Sequence, residues 1–294
     1  VPCPNPITFS PKNATRWSSL CYESKTVGCG KCYWCRFVRT RQWALRCYLE
    51  NLCHQQSAFI TLTYAPKHLP KKSSLVKKDV QDFIKRLRRN LDYQYPGTKI
   101  RFYASGEYGD LNGRPHYHIL IFGFGFPDQQ FHRTETSRTQ NPYSVYRSKF
   151  LEKTWKKGFS ELGNVNLESA SYVAGYIRKK INGDQAEQHY KGREPEFSLQ
   201  STTPGIGYDW YQKNKSWLWK EDMIRCNGKS YRPPRYFEKI LQKENPELFS
   251  EFQITKKSRL PFKTINGLGP VEELSDESED DLFPENEIPL RKAI

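Results

Sequence analysis

Arg114-Pro-His-Tyr-His-Ile-Leu-Ile-Phe-Gly-Phe124 is the stretch on which the reading of the fold turns. From Tyr117 to Phe124 it is apolar and aromatic, which predicts a strand. Side chains two apart on a strand share a face, so His116 and His118 stand side by side while Tyr117 points the other way. Just upstream, Gly106-Glu-Tyr-Gly-Asp-Leu-Asn-Gly113 is dense in turn formers, and Arg101 to Ser105 reads as a second strand. Together they predict an antiparallel hairpin carrying two imidazoles at one end.

Further strands and helices extend outward from this hairpin. Phe59 to Tyr64 (FITLTY) predicts another strand, limited by Pro66, and Val165 to Leu167 a short one. Between Lys77 and Tyr93, Val80, Phe83, Ile84, Leu87 and Leu91 form one apolar helix face, while Lys85, Arg86, Arg88 and Arg89 make much of the rest basic. Helices are also predicted over Arg36–Leu52, Leu151–Trp155 and Ala170–Ile181. This order predicts an α+β fold, an antiparallel sheet with flanking helices. Four regions follow: a Cys-rich element and helix (1–54), the core (55–185), a Trp- and Tyr-rich extension (186–250) and an acidic tail expected to be disordered (251–294). Within the extension, Gly205 to Leu241 yields no clear pattern.

The net charge of +15 is unevenly spread. Val271 to Ile294 holds nine acidic and two basic residues, a net −7, so the first 270 residues carry +22. A body that basic suits a polyanion, nucleic acid first, although basic surfaces also serve solubility alone. No apolar run of membrane-spanning length and no signal-peptide pattern occurs, so a soluble, intracellular protein is expected. GxxxxGK[ST] is absent, which leaves no recognisable nucleotide-driven helicase.

Two neutral imidazoles and a carboxylate can hold a divalent metal with positions left open for substrate. Glu107, at the end of the preceding strand, is the preferred carboxylate; Asp110 at the turn tip is the alternative. Two histidines on a half-exposed strand with no ligand remain the plain reading. The second constellation is Tyr172-Val-Ala-Gly-Tyr176-Ile-Arg-Lys-Lys180. Four residues apart on a helix, the two phenols share a face, and Lys179 and Lys180 extend it. Val173, Ile177 and Ile181 form a separate strip by which the helix can pack. A phenol titrates near 10 and needs help to attack a phosphodiester, from a cation on the phosphate or a neighbouring lysine.

The order FITLTY, GEYG…RPHYH, YVAGYIRKK is similar to the three motifs of HUH rolling-circle initiators. More narrowly, the chain resembles the replication initiator of gokushovirus-type microviruses, small single-stranded DNA phages. The likeness includes Cys29-Gly-Lys-Cys32, Trp43-Ala-Leu-Arg46, Pro204-Gly-Ile-Gly207 and Pro233-Pro-Arg-Tyr236, and so covers residues 1–245. The resemblance implies an HUH endonuclease core with Mg²⁺ or Mn²⁺ on His116, His118 and Glu107. It implies that Tyr172 and Tyr176 alternate as nucleophiles, each taking a 5′-phosphate at the viral origin, and that Lys179 or Lys180 assists. The expected partners are single-stranded DNA and the host helicase and DNA polymerase, in the bacterial cytoplasm. A relaxase, with its tyrosine ahead of the histidines, fits the order poorly, and a single-tyrosine transposase is usually shorter. A DNA-packaging protein that does not cut shares the charge but has no need of paired histidines and tyrosines.

Seven of eight cysteines lie between Cys3 and Cys53. Cys29, Cys32 and Cys35, spaced by threes, suggest structural zinc closed by Cys3 or by Cys21, with free thiols as the alternative. DNA contacts are expected from Arg36, Arg88, Arg114 and Arg178, with Trp17, Trp34, Trp210, Trp217 and Trp219 as candidates for base stacking or, individually more in keeping with their type, for packing.

Overall fold

The computed structural model describes residues 3–9, 25–109, 112–136, 142–181 and 185–258. A two-stranded ribbon, β1 (Ile7–Phe9) and β2 (Lys25–Val27), precedes the long helix α1 (Tyr33–Asn51). Then come β3 (Ser57–Thr63), α2 (Lys77–Gln94), β4 (Arg101–Tyr108), β5 (Pro115–Phe122), β6 (Gln130–Thr136), β7 (Pro142–Arg147), α3 (Lys149–Trp155), β8 (Ser160–Gly163) and α4 (Leu167–Gly175). The C-terminal part holds α5 (Gln185–Tyr190), β9 (Phe197–Gln200), α6 (Tyr208–Glu221), the hairpin β10 (Ile224–Cys226) and β11 (Lys229–Tyr231), α7 (Arg235–Glu244) and α8 (Pro246–Ser258).

Seven strands form one antiparallel sheet in the order β6-β7-β8-β3-β5-β4-β9, so the α+β architecture holds. Alternation along each strand divides the helices between two faces. On the back, Ile60 and Leu62 of β3 and Tyr117, Ile119 and Ile121 of β5 pack against Val80, Phe83, Ile84, Leu87 and Leu91 of α2 and Trp155 of α3. The five α2 residues are those the helical spacing selected. On the front, Tyr103, Leu120 and Phe122 meet Phe37, Ala44 and Cys47 of α1 and Ala170, Val173 and Ala174 of α4. His116 and His118 share the front with Leu120 and Phe122.

Several local expectations need correction. The strand expected at Val165–Leu167 lies earlier, as β8, because Asn166 turns the chain into a helix. Its side chain accepts from Ser169 N while the Ser169 hydroxyl accepts from Asn166 N, a reciprocal cap that opens α4 at Leu167. The helix expected through Ile181 stops at Gly175 and tightens into a 3₁₀ turn, Tyr176–Arg178. The hairpin β6–β7 was not anticipated, since its exposed, polar sequence has little apolar alternation. The unparsed Gly205–Leu241 segment folds onto α1, where Trp210, Tyr211, Leu218, Trp219 and Phe237 cluster with Leu45 and Leu49. Trp210 and Trp219 are therefore packing residues. Helix α8 crosses the position where the tail was expected to begin; beyond Ser258 the tail lies outside the described residues, as does Trp17.

Candidate metal and tyrosine site

Strand register brings the first group together. Glu107 on β4 lies directly opposite His116 on β5, and Ser105 opposite His118. On the other side of β5, Thr63 pairs with His116 and Thr61 with His118. Glu107 Oε1 stands 2.5 Å from His116 Nε2 and 3.0 Å from His118 Nε2. Asp110 lies outside the described residues.

The far side of each ring is also engaged. His116 Nδ1 donates to the Arg114 carbonyl at 3.1 Å, and His118 Nδ1 meets Thr61 Oγ1 at 3.1 Å. A carbonyl can only accept, so His116 carries a proton on Nδ1, while its Nε2 faces Glu107. A ring nitrogen and a carboxylate oxygen this close must share either a proton or a metal cation. The donor set therefore fits a divalent ion, with each imidazole oriented from behind. Glu107 is 3 % exposed and His118 1 %. Burial alone would raise the Glu107 carboxyl, but hydrogen bonds from His116 and His118 hold it well below the usual carboxylate range.

Both tyrosines come to the same face. The His118 ring lies 5.2 Å from that of Tyr172 and stacks on that of Tyr176 at 5.0 Å, and the two phenol rings are 4.9 Å apart. Phe59 covers the other side of His118. The tyrosines are not equivalent. Tyr172 is half-buried, whereas Tyr176 is 4 % exposed and its hydroxyl meets no partner in hydrogen-bond geometry. Burial, reinforced by the nearby Glu107 carboxylate and Tyr172, pushes the Tyr176 phenol well above its ordinary range.

The two lysines part company. Lys179 Nζ sits 3.2 Å from Glu107 Oε2 and 5.2 Å from the centre of the Tyr176 ring. Lys180 joins the arrangement through its backbone, its carbonyl accepting from Arg36.

The family model for replication-associated protein ORF2/G2P matches residues 57–181, from β3 through the tyrosine turn. The chain is 34% identical to replication-associated protein VP4 of Bdellovibrio phage phiMH2K, over 82% of the chain and 77% of that protein. It is 29% identical to replication-associated protein ORF2 of Spiroplasma virus 4 over 82% of the chain and 75% of that protein. With replication-associated protein ORF4 of Chlamydia phage 1 it shares 31% over 79% of the chain and 58% of that protein. The chain belongs to this family of phage replication-associated proteins. It is a replication initiator of the gokushovirus type, as its motif order implied, and hence a DNA-binding protein. No solved structure matches it.

The initiator's second candidate metal group lies at the start of α1. Cys3, Cys29, Cys32 and Cys35 bring their sulfurs within 4.8 Å of one another, a set that could hold a metal ion. Cys3 is thus the fourth member; Cys21 lies outside the described residues. Backbone amides of Lys31 and Cys32 donate to Cys29 Sγ at 3.4 and 3.3 Å, and that of Cys35 to Cys32 Sγ at 3.4 Å, turning the chain around the sulfurs. These amides bring the Cys29 thiol down to about 6, while burial pushes Cys35 up to about 12. A Cβ at Gly28 would lie 2.7 Å from Cys35 Sγ, so a larger residue there would displace that sulfur from the group.

The arginines expected to meet DNA separate. Arg114 bonds the Tyr64 carbonyl at 2.8 Å, two residues before His116, and the Arg178 guanidinium lies 5.9 Å from the Phe37 ring. Arg88 is exposed on α2, behind the sheet from the histidines. Arg36, expected to face DNA, instead donates from Nη1 to the Arg178 and Lys180 carbonyls, at 2.8 and 2.6 Å.

Spacing within the sequence missed a buried ionic centre formed by the outlying motifs. Arg46 is sandwiched between Trp43 and Tyr236, 4.0 and 3.9 Å from their ring centres, and donates to the Ile206 carbonyl at 3.0 Å. Glu50, one turn along α1, accepts from Gly207 N at 2.6 Å and Arg101 Nε at 2.5 Å, and meets His54 Nε2 at 3.1 Å. The quoted WALR, PGIG and PPRY stretches meet at this point. The only prior signal was their joint presence, since nothing in their spacing relates them. Among the described residues no helix is long and apolar enough to cross a membrane.

Proposed function

We propose that the initiator is an HUH endonuclease that nicks the viral strand at the origin of a circular single-stranded DNA genome. The reading is carried by the convergence of two phenols, two imidazoles and one carboxylate on a single sheet face, with His118 in ring contact with both tyrosines. In the step, a tyrosine Oη bonds to phosphorus and the P–O3′ bond breaks. The departing 3′ oxygen ends with the proton that the phenol gives up. A 5′-phosphotyrosine ester and a free 3′-OH result. Attack of a 3′-OH on that ester reverses the step and rejoins the strand without ATP, and the second tyrosine can cut while the first is esterified.

Glu107, His116 and His118 would hold Mg²⁺ or Mn²⁺, which when bound supplies a Lewis acid for the scissile phosphate. The protein's own groups prepare the nucleophile. Lys179 places positive charge beside the Tyr176 ring, where it favours the phenolate over the buried phenol. Phe59 fixes the His118 ring, and Thr61 holds its Nδ1 side. Arg114, two residues before His116 in the chain, and Arg178, two after Tyr176, are assigned to phosphate contact, with Lys180 as an additional cation. Arg88, behind the sheet, is assigned to more distant DNA. The four cysteines are assigned to structural zinc. Unwinding and synthesis fall to the host helicase and polymerase, in the bacterial cytoplasm.

The test is an oligonucleotide bearing the phage origin, incubated with the full chain and Mn²⁺. An SDS-resistant protein–DNA adduct is expected, lost in the Tyr172→Phe/Tyr176→Phe double variant. DNA binding without any adduct would instead establish a coating or packaging protein.

A further inference from the structure

The two tyrosines differ in how their backbone is held. Tyr172 sits within α4, whose start is sealed by the Asn166–Ser169 cap and whose middle is fixed by buried Ala170, Val173 and Ala174. Tyr176 comes after Gly175, in the 3₁₀ turn that ends the helix. A helix end leaves its last carbonyls without partners in the helix. Here α1 reaches across to them. Thr40 Oγ1 approaches the Ala174 carbonyl at 3.5 Å, and Arg36 Nη1 takes the carbonyls of Arg178 and Lys180 at 2.8 and 2.6 Å.

Lys179 lies between the two carbonyls that Arg36 grips, with Nζ on Glu107 Oε2. One guanidinium therefore sets both the turn that carries Tyr176 and the path of the lysine beside it. Arg36 is itself fixed. It follows Cys35 in the chain, its amide donates to the Cys32 carbonyl at 3.1 Å, and Cys32 caps α1 by accepting from Cys35 N. The four-sulfur group thus anchors the helix turn from which Arg36 extends. Its Nε is buried with no hydrogen-bond partner, which fits a side chain committed to the protein interior.

We propose that Arg36 is a positioning residue for Tyr176, holding the second tyrosine and Lys179 against the Glu107–His116–His118 group, while Tyr172 is positioned without it. The proposal rests on the nickase reading above. It requires the two tyrosines to respond differently to one substitution, which neither a DNA contact nor a general stabilising role would produce.

The experiment uses the full chain in two backgrounds, Tyr172→Phe and Tyr176→Phe, so that one tyrosine alone is available in each. Single-turnover adduct formation on the origin oligonucleotide is measured with Arg36, Arg36→Lys and Arg36→Gln. Misplacement of a reacting group by about 1 Å costs up to about 100-fold, so Arg36→Gln is expected to slow the Tyr176 reaction at least about tenfold. The Tyr172 reaction and the affinity for the oligonucleotide should each change by less than about threefold, a margin well below that positional effect. Arg36→Lys keeps a donor for one carbonyl and should fall between; it carries the same comparison should Arg36→Gln fail to fold. Equal losses at both tyrosines, or a loss explained by weaker binding, overturn the proposal. If neither parent background forms an adduct while Arg36 is intact, the nickase reading fails first and the proposal falls with it.

Discussion

His116 and His118 face the front of the sheet, while Tyr117 between them faces the back, and the polar groups around the two positions are met differently. Behind, every step from the Tyr117 hydroxyl is partnered: Tyr64 Oη at 2.8 Å, Val76 N at 2.9 Å, and through Tyr64 the Asp79 carboxylate at 2.6 Å. Lys157 closes that network on Asp79 at 2.7 Å. In front, the hydroxyls of Ser105, Ser171 and Tyr176 are buried without hydrogen-bond partners. An unmet buried polar group costs about 1–3 kcal/mol, so leaving these hydroxyls unmet takes away from stability. The back face is where the sequence holds the protein together. The front face gives up stability at the place where a ligand can supply what is missing.

The largest effect should come from the back. Phe83→Ala removes a fully buried ring between α2 and the sheet and is expected to cost about 3–5 kcal/mol in urea denaturation. Cleavage per folded molecule should stay unchanged; a loss beyond the unfolded fraction would show that the faces are coupled. On the front, Glu107→Gln should lower origin cleavage on the order of 10²–10³-fold, the range for losing one preorganised electrostatic group. Free Mn²⁺ followed by electron paramagnetic resonance should show weaker binding as well, and unaltered binding and rate would place the chemistry elsewhere.

Smaller changes sharpen the contrast. Thr61→Val deletes the group behind His118 and should reduce Mn²⁺ affinity about 10–100-fold, with little change in melting temperature. Tyr117→Phe, midway between the histidines, should do the reverse: about 1–2 kcal/mol of stability lost and cleavage intact. A cleavage defect in Tyr117→Phe would break the division outright. The last test concerns pH. Burial works against the Glu50 carboxylate, but His54, the Gly207 amide and Arg101 outweigh it and lower its pKa. Its stabilising share is therefore complete above the ordinary glutamate value of about 4.3 and is lost as pH falls through the lower folded-state value. Glu50→Gln should flatten that acid slope in denaturation midpoints measured between neutral pH and the acid limb.

What the sequence determined by itself was carried by local periods, although it misjudged where the tyrosine helix ends and where the last core strand lies. Alternation placed His116 and His118 on one side of Tyr117, and strand pairing favoured Glu107 over Asp110 as their partner. Helical spacing selected the five apolar back-face residues of α2 and set Tyr172 beside Tyr176. These follow from geometry repeated every two or 3.6 residues, which any segment carries within itself. Only tertiary structure decided that Tyr176 is buried and Tyr172 half-exposed, or that Lys179 rather than Lys180 faces Glu107. It alone gave Arg36 to the carbonyls of Arg178 and Lys180, and brought WALR, PGIG and PPRY around one buried arginine. Those contacts join residues far apart in the chain, chosen by how packed elements meet, and no spacing along one segment encodes where a distant segment will arrive.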